Sequence, residues 1–326
     1  MFILGIGAAH PEVEIADEFL SSLGLAPTEE EARLLSRFGV RSRRGSLPLN
    51  YIKETKNSEV LDGRPVAVST PTSLAVAASR QALERAGITP EQVGLLLADT
   101  ATPYQTCPSE AQRVGGALGI KIPAYDVVAG SLSLPLYLEM LLSWKPERVP
   151  DYVLCVSTNT CSQHVAYGGA SVLPAYLFGD GATAFVLSLR HAGKFRVEHS
   201  FLETSNKGHA SSVVERHVSC PAEGVLSSSE VVEALSRSLN RLASLRAPTH
   251  VVGPQLYSGE FESYEKALGL AEGSMISGTR DVGYALGASC GVALSSVWDS
   301  AQAGAAIVVL HVGDGAWGGS VVVASE

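Results

Sequence analysis

The sequence predicts an α/β protein whose strands are mostly parallel and buried, arranged in two halves of similar element order. Short apolar, β-branched runs alternate with helical apolar periods from end to end, the pattern of strands crossed by helices and covered on both faces. That alternation begins afresh after "TAFVLSL" at 183–189. The composition, 46% hydrophobic and 17% charged with 32 glycines in 326 residues, is that of a globular chain long enough for a substantial core.

In order, "FILGIGAA" reads as a strand, "TSLAVAASRQALERAG" as a helix stopping at Gly87, "VGLLLADT" as a strand and "SEAQRVGGALG" as a helix. Residues 124–142, "AYDVVAGSLSLPLYLEMLL", read as a buried strand running into a helix with Ser131 at the junction, and the strand "DYVLCVSTN" follows. The second half repeats the scheme: strand "KFRVEHSFLE", helix "SSEVVEALSRSLNRLASL", strand "THVVG" and helix "ESYEKALGL". A long apolar helix, "YALGASCGVALSSVWDSA", precedes the final strands "AAIVVLHVG" and "GGSVVVAS". Two halves of this kind predict an internal duplication without a residue-level repeat, with its boundary at 170–190. The N-terminal half is expected over 1–175 and the C-terminal half over 176–326.

Composition also narrows the function. No apolar run reaches the ~20 residues of a membrane span. "MFILGIGAA" lacks a basic leader and is followed by acidic residues, so it reads as a first strand rather than a signal peptide, and a cytoplasmic location is expected. The net charge of −9 argues against non-specific nucleic-acid binding, which needs an excess of Lys and Arg. The five cysteines are scattered without a C-x-x-C pair, which predicts reduced thiols and neither a disulfide framework nor a zinc site. The main basic cluster, "RFGVRSRR" at 37–44, reads as a solvated loop or as a contact for an anionic ligand or acidic partner.

Ser131 occupies the kind of strand-to-helix junction where function concentrates in α/β folds. A helix N-terminus offers unpaired N–H groups to a developing oxyanion. Serine in that place is either an ordinary helix cap or a nucleophile, and a nucleophilic serine needs an adjacent base. Ala129 and Ser133 flank it where a nucleophile elbow would have glycines. "LFGDGATAFVL" at 177–187 is a glycine turn entering a strand, not a phosphate loop, because no Gly-Lys-Ser/Thr follows. "VGDGAWGGS" at 312–320 is a second glycine turn, read as a hairpin or as backbone N–H groups brought close to a ligand. No pair of the eight histidines has metal-ligand spacing on a helix face. His164 and His209 fall in loops after strands and are the first candidates for an unconventional base.

Taken together, "GVRSRR", "ADTATPYQTCPSEA", "AYDVVAGS", "LFGDGATAFVL" and "GDGAWGGS" resemble, in order and spacing, the ketoacyl-ACP synthase III group of thiolase-fold condensing enzymes. The resemblance covers essentially the whole chain. It implies a five-layered αβαβα thiolase-like fold of two pseudo-duplicated halves, usually a homodimer, with the active site between the halves. It also implies a Cys, His and Asn set: the cysteine takes an acyl group from a thioester, while His and Asn support decarboxylation and condensation. Here the cysteine position is Ser131, the histidine position is Pro254, followed by Gln255, and the asparagine position is Tyr284.

All three positions differ, which argues against ordinary decarboxylative condensation, since proline has no side-chain donor or acceptor. The chemistry that survives is acyl transfer through a Ser131 ester. Tyr284 can donate one hydrogen bond, and the N–H groups of Ser131 and of Gly313 or Gly315 would form the oxyanion hole. Removing one such donor typically costs about 10²–10³ in rate. The tryptophan that relatives use to stack CoA is replaced near Arg33, while Arg37 and Arg41 keep basic character. The resemblance therefore favours acyl groups on an acyl carrier protein over free CoA, with no cofactor beyond the thioester itself. Cys107 corresponds to a position that in relatives reaches across the dimer and limits the partner's acyl pocket, so its small side chain predicts room for a longer acyl group.

Three functions follow as expectations: an acyltransferase of polyketide or fatty-acid type metabolism, a catalytically silent subunit paired in a heterodimer with an active condensing enzyme, or a condensing enzyme whose base comes from elsewhere, such as His164 or His209.

Overall fold

The computed structural model describes residues 1–204, 213–221, 224–243, 248–313 and 316–325. Its first-half strands are β1 (Phe2–Ala9), β2 (Val13–Ala16), β3 (Ser42–Gly45), β4 (Leu95–Asp99), β5 (Ala124–Asp126), β6 (Val153–Thr160) and β7 (Asp180–Ser188). Those that follow are β8 (Phe195–Thr204), β9 (Val213–Val214), β10 (Val218–Ser219), β11 (His250–Val252), β12 (Met275–Ile276), β13 (Ala306–Gly313) and β14 (Ala316–Ala324). Ten of them form one hydrogen-bonded sheet in the order β12-β11-β13-β14-β8-β1-β7-β6-β4-β5, while β2 pairs with β3 and β9 with β10.

The duplication is visible in the pairing. From the edge inward, β5-β4-β6-β7-β1 runs parallel, parallel, antiparallel, antiparallel. The other arm, β12-β11-β13-β14-β8, has the same senses in the same order. Each strand of the first arm thus has a counterpart seven strands later. Among the described residues, the two arms are joined in one sheet by the short β1–β8 pairing at Phe2 and Ile3.

Side chains of successive strand residues point to opposite faces, and the three cores follow from this. Val153 and Cys155 of β6 join a central core with Leu138, Leu141, Leu294 and Val309. Leu154 and Val156 point the other way, to a core with Leu74, Ala78 and Ala82. In the second arm Ile307 and Val309 face the centre, whereas Val308 and Leu310 pack with Val231, Leu235 and Leu239. Helices Ser133–Ser143 and Gly287–Ser296 therefore lie between the two arms, and helices Pro71–Ala86 and Ser228–Ala243 cover their outer faces. Each fully buried Val, Leu or Ile contributes roughly 1.5–3 kcal/mol by leaving water.

Local chemistry sets the elements. Helix Pro71–Ala86 starts on a Thr70/Ser73 capping box with proline at its first turn, and stops at Gly87, whose φ of +66° is the left-handed conformation glycine adopts freely. It lies directly on β1 because Gly5 and Gly7 have no side chain; a Cβ on either would sit 2.0 Å from the carbonyl oxygen of Ala82 or Ala78.

Three readings need correction. "AYDVV" is not a buried strand: β5 has only three residues at the sheet edge, with Tyr125 55% exposed. The apolar stretch 284–301 is helical only over Gly287–Ser296. The basic cluster is not a solvated loop. Arg37 ends helix Glu29–Phe38, and Arg43 lies in β3, fully buried, donating to the carbonyls of Ile15 (3.0 Å) and Tyr176 (3.1 Å) and to Asp17.

Candidate active site

Ser131 lies in a tight turn between β5 and helix Ser133–Ser143. Gly130 takes a φ of +58°, and Leu132 N–H bonds back to the Ala129 carbonyl. Asp99, at the end of β4, holds this turn from below. Its carboxylate accepts from the Ala129 N–H at 2.7 Å, the Ser133 hydroxyl at 2.7 Å and the Ser157 hydroxyl at 3.1 Å. Burial pushes the Asp99 carboxyl up to about 6, against those hydrogen bonds, which favour the ion. The capping reading of Ser131 fails: the N-cap residue is Leu132, no side chain caps the helix, and the Ser131 Oγ is buried without a hydrogen-bond partner. A buried hydroxyl left in that state costs about 1–3 kcal/mol.

One cavity collects the positions singled out by resemblance. Ser131, Pro254, Gln255 and Tyr284 line it together with Leu256, Leu286, Cys290, His311 and Val312. Pro254 closes β11 and opens the turn Gln255–Glu260. The Gln255 amide is committed to backbone: Nε2 donates to Gly253 (2.8 Å) and Ile276 (3.1 Å), and Oε1 accepts from Gly278 N–H (2.5 Å). These bonds brace the turn while Gln255 still lines the cavity. Tyr284 is buried, its ring centroid 6.0 Å from that of Phe178. Its backbone bonds Leu177 and Gly179. A Cβ on Gly179 would meet the Val282 carbonyl oxygen at 2.0 Å, so this glycine lets the Tyr284 segment approach. Its neighbour Asp180 accepts from Ser46 N–H (2.7 Å), Ser162 N–H (2.6 Å) and the Ser162 hydroxyl (2.6 Å), which makes "FGDG" a structural clamp. Leu286 holds a φ of +52°, a strained conformation for a branched side chain, at the cavity wall.

The cavity also holds a histidine that sequence reasoning passed over. His311, on β13, places Nε2 3.5 Å from Cys290 Sγ. Burial pulls its pKa down to about 4, against a backbone hydrogen bond to Ser131. Cys290 is buried and its thiol pushed well up. The only signal in the sequence was strand alternation: His311 lies between the outer-facing Leu310 and Val312, and so faces the interior.

The other candidates lie apart. His164 is not in a loop but in a buried 3₁₀ turn, Cys161–His164; its Nδ1 contacts the Arg216 carbonyl at 3.2 Å, and it does not line the cavity. His209 and Gly315 lie outside the described residues. Gly313 ends β13, opposite Ala316. Arg37 is tied to Glu260 (3.0 Å) and the Leu226 carbonyl (2.8 Å) and does not line the cavity. Arg41 is exposed, with its N–H bonded to the Arg280 carbonyl, and Cys107 is exposed; neither lines the cavity. Among the described residues no group of His, Cys, Asp and Glu is placed to hold a metal ion, and no helix is long and apolar enough to cross a membrane.

The architecture is a thiolase-like fold, matching that of solved 3-oxoacyl-ACP synthase III structures. The 3-oxoacyl-ACP synthase III of Aquifex aeolicus superposes with a TM-score of 0.81 at 19% identity, over 99% of both chains. The tetronic acid condensing enzyme AbyA1 gives 0.80 at 19% identity, over 100% of this chain and 99% of that one. In sequence, the beta-ketoacyl-ACP synthase III of Rhizorhabdus wittichii is 29% identical over 192 residues, 59% of this chain and 53% of its own. That of Trichormus variabilis is 32% identical over 186 residues, 57% of this chain and 49% of its own. The chain thus spans about half the length of the curated relatives it matches, and no family model matches it. The protein is ketoacyl-ACP synthase III-like in sequence and in fold.

Proposed function

We propose that the protein is an acyltransferase of fatty-acid or polyketide type metabolism, which takes an acyl group from a thioester onto Ser131 as an ester. The observation that supports it is the Ser131 Oγ: a buried hydroxyl without a partner, held by the Asp99-braced turn at the cavity that also contains Pro254 and Tyr284. Its relatives carry the name of enzymes acting with acyl carrier protein, and the donor here is a thioester on such a carrier in preference to free CoA. Decarboxylative condensation is disfavoured, because Pro254 offers no donor to a thioester carbonyl and Tyr284 stands where the asparagine would be. Incubation with acyl-ACP or acyl-CoA followed by intact mass measurement tests this. An adduct of acyl mass that Ser131→Ala removes supports the reading; no adduct on the unaltered protein refutes it.

A second reading, a silent subunit, is favoured by the commitment of the Gln255 amide to backbone and by the loss of both ordinary catalytic partners. It predicts a heterodimer with a cysteine-bearing homologue on co-expression. A homodimer that also acylates Ser131 excludes it. Both readings use the β5 edge as the subunit interface, where Tyr125 (55%) and Val128 (68%) are exposed beside an unpaired strand edge.

A further inference from the structure

Acyl transfer through Ser131 leaves the serine in need of a base, and the same cavity supplies one. Resting on that reading, the geometry points to His311 as the general base for the Ser131 hydroxyl, with Cys290 as the residue that positions its ring. His311 reaches the cavity from β13, the strand that pairs in parallel with β11, and so stands beside the lost histidine position at Pro254. Its Nε2 contacts Cys290 Sγ at 3.5 Å, and His311 and Ser131 line the same cavity, so the imidazole is held at the wall of the space that the nucleophile faces. A thiol is a weak donor, so this contact orients the ring without a strong claim on its lone pair. The Ser131 Oγ has no hydrogen bond to break when it turns about χ1 towards the ring. Such bonds commonly tighten only when substrate is present.

The step balances without a further reagent. The Ser131 proton passes to the imidazole as Oγ bonds to the thioester carbonyl carbon; the C–S bond then breaks, and the departing thiolate takes the proton back. The titratable side chains lining the cavity are His311, Cys290 from helix Gly287–Ser296, and Tyr284 from the segment before it; Asp99 lies under the Ser131 turn. No Lys, Arg, Asp or Glu is among the described lining residues. His311 is accordingly neutral through the ordinary pH range, ready to accept a proton although a weak base for it.

The test is the single-turnover rate of Ser131 acylation by acetyl-CoA and acetyl-ACP, followed by intact mass on the full chain from pH 4 to 9. The unaltered protein is expected to lose rate only near pH 4. His311→Gln should slow acylation about 10²-fold, at the lower end of general-base effects, and abolish that acid limb. Cys290→Ala should lower the rate several-fold and move the limb upward, a shift that a purely structural role would not produce. If His311→Gln acylates at the original rate and pH dependence, or if the unaltered protein has its acid limb near 6.5, the inference fails while acyl transfer stands. If the unaltered protein forms no Ser131 adduct, the acyl-transfer reading fails and this inference with it. The profile of the unaltered protein decides the matter even where a variant does not fold.

Discussion

His311 Nε2 lies 3.5 Å from Cys290 Sγ, beneath a cavity that Ser131 also lines. One strand and one central helix of the second arm thus bring an imidazole and a thiol to the serine of the first. The positions that resemblance nominates, Pro254 and Tyr284, contribute no imidazole or carboxamide there.

The burial of His311 has a stability consequence. The folded-state pKa of His311 is depressed to about 4 from 6.5, so its contribution is fully present above pH 6.5 and is lost as the pH falls towards 4, where the unfolded chain binds the proton first. About 2.5 pH units correspond to roughly 3 kcal/mol. The unaltered protein should lose about that much stability relative to His311→Gln between pH 6.5 and 4 in paired denaturant titrations. A difference independent of pH would contradict it.

Asp99 titrates in the opposite sense. Its folded pKa is raised to about 6 from 3.8, chiefly by burial, so stability is fully present below pH 3.8 and is lost as the pH rises through 6. Asp99→Asn should therefore gain on the unaltered protein by about 3 kcal/mol over that interval. At neutral pH it should leave the Ser131 acylation rate near its original value, since asparagine keeps an acceptor for the Ala129 N–H. Thermal melts at pH 4 and 7 check the first effect.

Gly287 begins the central helix against the serine turn. A Cβ there would sit 1.8 Å from Ser133 Oγ and 2.6 Å from the Gly130 carbonyl oxygen. Gly287→Ala should destabilise by about 1–3 kcal/mol through overpacking and displace the Ser131 turn. Gly304→Ala serves as a contrast: its φ of +80° strains any side chain, but nothing lies within 4 Å, so it should lower the melting temperature without changing the acylation rate per folded molecule.

Exposed Tyr125 and Val128 flank the outer edge of β5. A charged pair of substitutions, Tyr125→Lys with Val128→Glu, should convert the dimer proposed above to a monomer in light scattering, because edge charges oppose strand pairing. An unchanged dimer mass would place the interface elsewhere.

The sequence carried the order of strands and helices because its strands are apolar on both faces, but the expectation of mostly parallel strands is corrected: five of the nine pairings in the ten-stranded sheet are antiparallel. It misjudged β5, whose apolar letters lie at an edge rather than in the core. Arg43 misled for a different reason. A charge run ordinarily faces solvent, and the carbonyls of Ile15 and Tyr176 together with the Asp17 carboxylate make burial tolerable for this guanidinium. At the site, resemblance brought Ser131, Pro254 and Tyr284 to one cavity, but His311 and Cys290 stand 21 residues apart on different elements, and no local pattern joins them.

The most direct measurement is the location of the acyl group after incubation with a labelled acyl thioester, by peptide fragmentation with and without neutral hydroxylamine. Acyl transfer through Ser131 predicts a label on the 124–142 segment at Ser131 that neutral hydroxylamine leaves in place, as an oxygen ester. A hydroxylamine-sensitive label on Cys290 or Cys107, or no label at all, would contradict it.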